Sequence, residues 1–225
     1  MTLCHLADIG KSYSTGTLDV HALVDISLTI TAGEFVVISG SSGSGKTTLL
    51  NLLGLLDVPC TGTYRLSGQT TSRMSPLEQD SIRARHIGFV FQSFHLIPTL
   101  TALENVMLSL TLAGRRTDRK TKSMEILHKA GIADCAHRRP KQLSAGQQQR
   151  VAIARALVKE PEFILADEPT ANLDTKTGTE IIDLMLTFNE SINTTFVISS
   201  HDPKVISRGR RTVCMEDGRI AMDDQ

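Results

Sequence analysis

The sequence lacks an excess of charge of either sign. Lys plus Arg and Asp plus Glu both number 24, so the formal net charge is zero. Proteins that bind nucleic acid usually carry a basic excess, so this balance disfavours that class and we expect no nucleic-acid partner. The tract GRRTDRKTK at 114–122 is basic, but a basic run this short is most often a solvated surface segment.

Paired cysteines and long apolar runs are also missing. The four cysteines are scattered and none forms a Cys-x-x-Cys pair, which indicates reduced thiols in a cytosolic setting rather than a disulfide framework or a zinc site. The N-terminus shows no signal peptide or lipidation signal. The longest uncharged stretch after residue 46, IGFVFQSFHLIPTLTAL, contains Gln92, His95 and Pro98, so we expect no membrane span there.

Apolar runs and helical periodicity alternate along the chain. The predicted strands are 23–30 (half-exposed), 34–40, 62–68 (an edge strand), 86–92, 162–168 and 194–201, and the predicted helices are 46–56, 101–114, 120–132, the segment after Ser144, and 175–190. Strand, helix and strand in this order favour a parallel sheet. We therefore predict a single α/β domain over 1–225. Its core comprises residues 1–92 and 161–225, and a helical segment at 93–160 interrupts it.

A glycine-rich loop, GSSGSGKT at 40–47, joins a predicted strand to a predicted helix, as the phosphate-binding P-loop requires. In such a loop backbone amides surround phosphate oxygens, and the helix N-terminus adds the positive end of its dipole. Lys46 is expected to reach the β- and γ-phosphates, and the Thr47 hydroxyl to bind Mg²⁺. The predicted triphosphate-binding residues of this loop are Gly40, Ser41, Ser42, Gly43, Ser44, Gly45, Lys46, Thr47 and Thr48.

Two adjacent carboxylates, Asp167 and Glu168, follow the apolar run at 163–166. Ligands of parallel sheets gather at the carboxyl ends of strands, so Asp167 is expected in the magnesium shell. Successive strand side chains point in opposite directions, which leaves Glu168 free to polarise a water. His201 ends the next strand and is a candidate contact of the γ-phosphate; an ordinary exposed or hydrogen-bonded histidine is the alternative.

The segment LSAGQQQR at 143–150 begins a helix. Ser144 and Gln147 form the Ser-x-x-Gln capping box that satisfies amides at a helix start. This box explains neither Gly146 nor the run of three glutamines, so we expect a further role for this helix end.

Together these motifs resemble, in order and over about residues 3–220, the nucleotide-binding subunits of ATP-binding-cassette (ABC) transporters. The resemblance implies a RecA-like P-loop core with an antiparallel β edge, an inserted helical subdomain at 93–160, ATP hydrolysis, and ATP and Mg²⁺ as cofactors. It implies that the helix start at Ser144, Gly146 and Gln147 faces the γ-phosphate held by a second copy of the chain. Ala145 stands where the family usually has a glycine.

The resemblance also implies three roles outside these motifs. Tyr13 corresponds to the aromatic residue that stacks on adenine, although an ordinary strand tyrosine is an alternative. Gln92 corresponds to the glutamine that contacts Mg²⁺ and senses the membrane partner. Asp174 corresponds to the residue that links the two nucleotide sites, and its simpler alternative is a helix N-cap. His201, Glu168 and Lys46 form the expected catalytic group.

Within the family the chain is most similar to the ATPases of lipoprotein-releasing and macrolide-exporting systems. We therefore expect a homodimer on a separate transmembrane permease, located in the cytoplasm and peripheral on the inner face of the inner membrane. A regulatory ATPase that signals through a membrane protein without transport is the alternative. DNA-repair ATPases need a long heptad insertion, and GTPases an Asn-Lys-x-Asp motif, which this sequence does not have.

Overall fold

The computed structural model describes residues 1–14, 16 and 19–224. In this part of the chain ten strands form two sheets: β1 Thr2–Ser14, β2 Asp19–Thr31, β3 Phe35–Ser39, β4 Thr61–Leu66, β5 Gln69–Thr70, β6 Ile87–Phe91, β7 Phe163–Asp167, β8 Thr195–Ser200, β9 Arg211–Glu216 and β10 Arg219–Asp224. The α-helices are α1 Lys46–Leu53, α2 Pro76–His86, α3 Ala102–Leu112, α4 Arg119–Lys129, α5 Ala145–Leu157, α6 Thr175–Ile192 and α7 Pro203–Ile206.

The larger sheet has six strands in the order β10-β9-β3-β8-β7-β6. The five strands β3, β6, β7, β8 and β9 are parallel, and β10 pairs antiparallel with β9. The strand ends align, since Ser39 pairs with Ser200 and Asp167 pairs with Ser199. The predicted α/β fold with a parallel sheet is confirmed, and the aligned carboxyl ends bring the predicted polar residues to one edge.

The smaller sheet is antiparallel, with the order β2-β1-β4-β5. The prediction differs from this sheet in that neither β1 nor β5 was predicted. It is also wrong on β4, which is not an edge strand because it lies between β1 and β5. The apolar alternation of β1 is interrupted, since its register shifts between Leu6 and Ile9 and Asp8 has a left-handed φ of 53°. This bulge hides the period of two on which strand prediction relies.

The six-stranded sheet separates two apolar cores. Alternate residues of β3 point to opposite sides: Val36 and Ile38 pack with α1 and the antiparallel sheet, whereas Phe35 and Val37 pack with the helices α3 to α6. This arrangement is a layered α/β architecture. The sheet edge that carries the polar residues is left free of both cores.

Three helices, α3, α4 and α5, follow one another between β6 and β7, and the structure has no strand from 92 to 162. Thr101 and Ser144 begin α3 and α5 with complete capping boxes, which confirms the box predicted at Ser144. Helix α5 packs directly on the sheet, since Val151 and Ile153 share a core with Ile164.

The helix predictions differ from the structure at α1, at α2, at α4, which ends at Lys129 rather than 132, and at α7, which was not predicted. Helix α1 ends at Leu53 rather than 56, because the chain turns at Gly54 and Leu55 adopts a φ of 56°. Helix α2 was not predicted, because it buries none of its residues and so has no apolar period. The signal that could have identified it is the capping box between Ser75 and Glu78, with Pro76 at the first helical position.

Candidate nucleotide site

The glycine loop leaves β3 at Ser39 and enters α1 at Lys46. Gly43 and Gly45 have φ values of 82° and 99°, a left-handed region that favours glycine. The Lys46 ammonium folds back over the loop and donates to the carbonyl oxygens of Gly40 and Ser41, both at 2.8 Å. The Ser44 hydroxyl is buried and has no hydrogen-bond partner among the described residues, so the loop holds a polar group that a phosphate oxygen fits.

A cavity of about 570 Å³ opens in front of this loop. It is lined by Val20, His21, Ala22, Ser41, Ser42, Gly43, Gly45, Lys46, Thr47, Thr48, Gln92, Glu168, Ala171 and His201. The cavity therefore brings together ten of the residues predicted from the sequence. The prediction missed Val20, His21 and Ala22, because the start of β2 carries no motif, and it also missed Ala171.

A polar cluster lies at the edge of this cavity, where β7 and β8 end. The Thr47 hydroxyl is 3.2 Å from both carboxylate oxygens of Asp167. The Ser199 hydroxyl donates to Asp167 Oδ1 at 2.6 Å and accepts from the Glu168 amide at 3.0 Å. A hydroxyl and a carboxylate are oxygen ligands of the kind that Mg²⁺ prefers, so Thr47 and Asp167 fit a magnesium ion.

Ser199 is a site residue that sequence reasoning missed. It is fully buried and holds both the Asp167 carboxylate and the Glu168 backbone. Its signal is weak, because it is one of two serines in a buried strand and only the register with β7 brings it opposite Asp167.

Glu168 and His201 form a pair in the cavity, with His201 Nδ1 at 2.8 Å from Glu168 Oε1. Strand alternation was expected to set the direction of Glu168. Instead β7 ends at Asp167, and Glu168 turns with a left-handed φ of 45°. The turn, rather than the strand, directs this carboxylate into the cavity.

Tyr13 lies in β1 beside the cavity but does not line it. It pairs with the cavity residue Val20, its side chain is 39 % exposed, and its hydroxyl donates to Asp57 Oδ2 at 2.7 Å. Burial and the bond with Asp57 raise the pKa of Tyr13. Lys11 contacts the same carboxylate and lies 5.0 Å from the Tyr13 ring centre.

Ser144, the N-cap of α5, is exposed and lies outside this cavity. The Ser144 hydroxyl accepts from the Gln147 amide at 3.3 Å, and Gln147 Oε1 accepts from the Ser144 amide at 3.0 Å. Gly146 is buried, and a Cβ added to it would lie 2.4 Å from Thr177 Cγ2. The glycine therefore has a packing reason within its own chain that the sequence does not reveal.

Asp174 is the N-cap of α6, as in the simpler of its two interpretations. Its Oδ1 accepts from the amides of Lys176 and Thr177 at 3.1 Å, and its Oδ2 accepts from the Thr177 hydroxyl at 2.6 Å. The bonds from Thr177 and Lys176 lower the pKa of Asp174. Asp174 is exposed, so capping leaves room for a second contact.

In the described part of the chain, every helix is too short or too polar to traverse a bilayer.

The comparisons with known proteins agree with one another. The family model described as ABC transporter matches residues 23–171. A relative from Thermotoga maritima, described as an uncharacterised ABC transporter ATP-binding protein, is 49 % identical over 216 residues, covering 96 % of this chain and 92 % of that protein. A macrolide export ATP-binding/permease protein, MacB, from Syntrophobacter fumaroxidans is 44 % identical over 223 residues, covering 98 % of this chain and 31 % of that protein. The chain thus spans about a third of the MacB relative.

Among solved structures, the chain is similar to the ATP-binding cassette MJ0796, described as a dimeric post-hydrolysis state bound to ADP and Pi. The TM-score is 0.91 at 42 % identity, with 99 % of this chain and 98 % of that chain covered. A second dimeric structure of MJ0796 gives a TM-score of 0.92.

Proposed function

The chain belongs to the ABC transporter family, as an ATP-hydrolysing cassette, and from that premise we propose that two copies close around two ATP–Mg²⁺ to drive a membrane permease. One observation carries the proposal. The P-loop, Glu168 and His201 line one cavity, with Asp167 at its edge, while the anion-binding helix start at Ser144 is exposed elsewhere on the surface. A second copy is the natural source of that missing half.

Within one protomer, the loop residues 40–48 hold the triphosphate. Lys46 exchanges its two loop carbonyls for phosphate oxygens, and the Ser44 hydroxyl gains the partner that it lacks. Thr47, Asp167 and Gln92 hold Mg²⁺, which when bound neutralises charge on the phosphate oxygens. Tyr13 stacks on the base beside Val20.

Glu168 is the general base of hydrolysis, and its carboxylate accepts a proton from the attacking water. His201, at 2.8 Å from Glu168 Oε1, orients this carboxylate and approaches the γ-phosphate. The Ser199 hydroxyl, bonded to the Glu168 amide, fixes the backbone of the base.

The second copy completes the site. The Ser144 hydroxyl, the Gly146 amide, Gln147 and the positive end of α5 face the partner's γ-phosphate. Asp174 reaches across the interface between the two sites. To change the ratio of closed to open dimer from 1:99 to 99:1, ATP has to bind the closed dimer more tightly than the open form by about 5.5 kcal/mol.

The helical subdomain at 93–160 transmits closure to the membrane. A groove of about 650 Å³ lies between the loop after Gln92 and the segment before Ser144, with His137, Arg139 and Lys141 among its lining residues. We assign it to the permease. The MacB relatives are named ATP-binding/permease proteins, whereas the Thermotoga relative is named an ATP-binding protein alone, which supports a permease on a separate chain. The cassette then sits in the cytoplasm on the inner membrane and serves export or lipoprotein release.

A test uses Glu168→Gln with Lys46→Ala as its control. Glu168→Gln keeps the volume of the side chain but removes the base, so ATP–Mg²⁺ is expected to trap a dimer with turnover abolished. Lys46→Ala removes the charge that faces the phosphates, so ATP affinity falls and the chain stays monomeric. Light scattering on gel-filtered samples, with and without ATP, measures both. A Glu168→Gln chain that stays monomeric at saturating ATP contradicts the proposal.

A further inference from the structure

The three consecutive glutamines of α5 make three different contacts. Gln147 bonds to Ser144 and Gln148 donates to the Leu143 carbonyl at 3.1 Å, so both act locally at the helix start. Gln149 is fully buried, and its Nε2 donates to the Pro169 carbonyl at 2.7 Å. Gln149 alone of the three ties α5 to the segment that follows the catalytic strand.

This segment holds a strained backbone. Glu168 is a non-glycine residue with a φ of 45°, and such a conformation costs about 1–3 kcal/mol unless its surroundings hold it in place. Hydrogen bonds hold both sides of the Glu168–Pro169 peptide. The Glu168 amide donates to Ser199 and the Glu168 carbonyl accepts from the Ala171 amide at 3.2 Å, while the Pro169 carbonyl accepts from Gln149, the one contact among these that comes from α5.

Packing alone does not explain an amide at this position. The second polar atom of the side chain, Gln149 Oε1, is buried and without a hydrogen-bond partner among the described residues. A buried polar atom without a partner costs about 1–3 kcal/mol, which a methionine of similar shape would avoid. What the amide has and a methionine lacks is the Nε2 group that donates to the Pro169 carbonyl.

We infer that Gln149 is a positioning residue for Glu168 and links the base to the helix start that faces the partner's nucleotide. Ser144 and Gln149 lie about one and a half turns apart on the same helix, so a shift of α5 on closure moves both. The inference rests on the proposed function, because it gives α5 a role in each of the two sites.

The first test replaces Gln149 by Met, with Gln148→Met as the matched control. Gln149→Met removes the donor and nearly keeps the shape, so the peptide beside the base loses its hydrogen bond from α5. Misplacement of a catalytic group by about 1 Å costs up to about 100-fold. We expect kcat to fall about 10- to 100-fold while the KM for ATP stays within about twofold. The ATP-driven dimer in the Glu168→Gln background is expected to persist, and Gln148→Met to keep wild-type kcat.

A second variant, Gln149→Glu, keeps the test decisive if the methionine variant fails to fold. A protonated carboxyl can donate to the Pro169 carbonyl, whereas a carboxylate cannot. The ratio of variant to wild-type kcat is therefore expected to fall as pH rises.

Either of two results for Gln149→Met overturns the inference: a kcat within twofold of wild type, or equal losses of kcat and of the ATP-driven dimer. A flat pH ratio for Gln149→Glu overturns it as well. The proposed function is contradicted by a different pair of results: the wild-type chain does not turn over ATP, and the Glu168→Gln variant does not form a dimer with ATP. The two failures are therefore distinguishable.

Discussion

Gly146 offers a sharp test of how the start of α5 is built. In Gly146→Ala the new methyl would lie 2.4 Å from Thr177 Cγ2, well inside van der Waals contact. The threonine cannot rotate away freely, because its hydroxyl is bonded to Asp174 Oδ2 at 2.6 Å. Overpacking of this kind costs typically about 1–3 kcal/mol. We expect Gly146→Ala to lower the free energy of unfolding by this amount.

Thr177→Ser supplies the matched rescue. Serine keeps the hydroxyl that bonds to Asp174 and deletes the methyl that obstructs residue 146. In this background Gly146→Ala meets no obstruction and gains up to about 1 kcal/mol of helix propensity. The two substitutions are therefore expected to be strongly non-additive, with a coupling energy of about 1–3 kcal/mol.

Urea denaturation of the four chains in this cycle measures the coupling, and light scattering with ATP in the Glu168→Gln background measures the dimer. The added Cβ points at Thr177 rather than away from the chain, so the double variant is expected to recover the dimer as well as the stability. Additive free energies would refute the packing argument. A double variant that is stable but monomeric with ATP would show that Gly146 is reserved for close approach to phosphate.

Two further predictions concern the Ser199 hydroxyl, which contacts Asp167 and Glu168, and the buried thiol of Cys4. Ser199→Ala loses a charge-assisted bond to Asp167 and a bond from the Glu168 amide, so urea denaturation should give a loss of about 2–3 kcal/mol. Ser200→Ala, which loses one bond from a loop amide, should cost about 1 kcal/mol, and equal losses would contradict the assignment. Burial raises the pKa of the Cys4 thiol to about 12, so its stabilising contribution is intact below pH 9 and is lost as pH rises towards 12. Cys4→Ala should therefore reduce the alkaline slope of the free energy of unfolding, measured by urea denaturation at rising pH, by up to about 1.4 kcal/mol per pH unit.

The parts of the fold that could be predicted are those in which sequence and structure share a period. The strands β3, β7 and β8 are continuous apolar runs because both faces of a parallel sheet are buried. The P-loop could be predicted because its glycines and Lys46 have fixed spacing between such a strand and a helix. Strand β1 and helix α2 could not, because a bulge at Asp8 interrupts the period in the strand and a helix without a buried residue has no apolar period.

The candidate site also contains residues that could be predicted from the sequence and residues that could not. Glu168 could be identified by its type and its place after a strand, but its direction depends on a backbone turn that no local pattern encodes. Ser199 contacts the Glu168 amide from 31 residues away and Gln149 contacts the Pro169 carbonyl from 20 residues away, and each is recognisable only when the register of the sheet or the packing of α5 is known. Long-range contacts of this kind decide how a motif is held rather than which motif is present.

The contacts at the start of α5 and α6 tie the two halves of the proposed site together. Thr177 bonds to Asp174 and packs on Gly146, so the residues proposed to face the partner's nucleotide form one unit. Gln149 extends that unit to the peptide beside Glu168, which is proposed to serve the protomer's own nucleotide. Because these contacts are continuous, we expect a movement of the unit at one site to change the geometry of the base at the other.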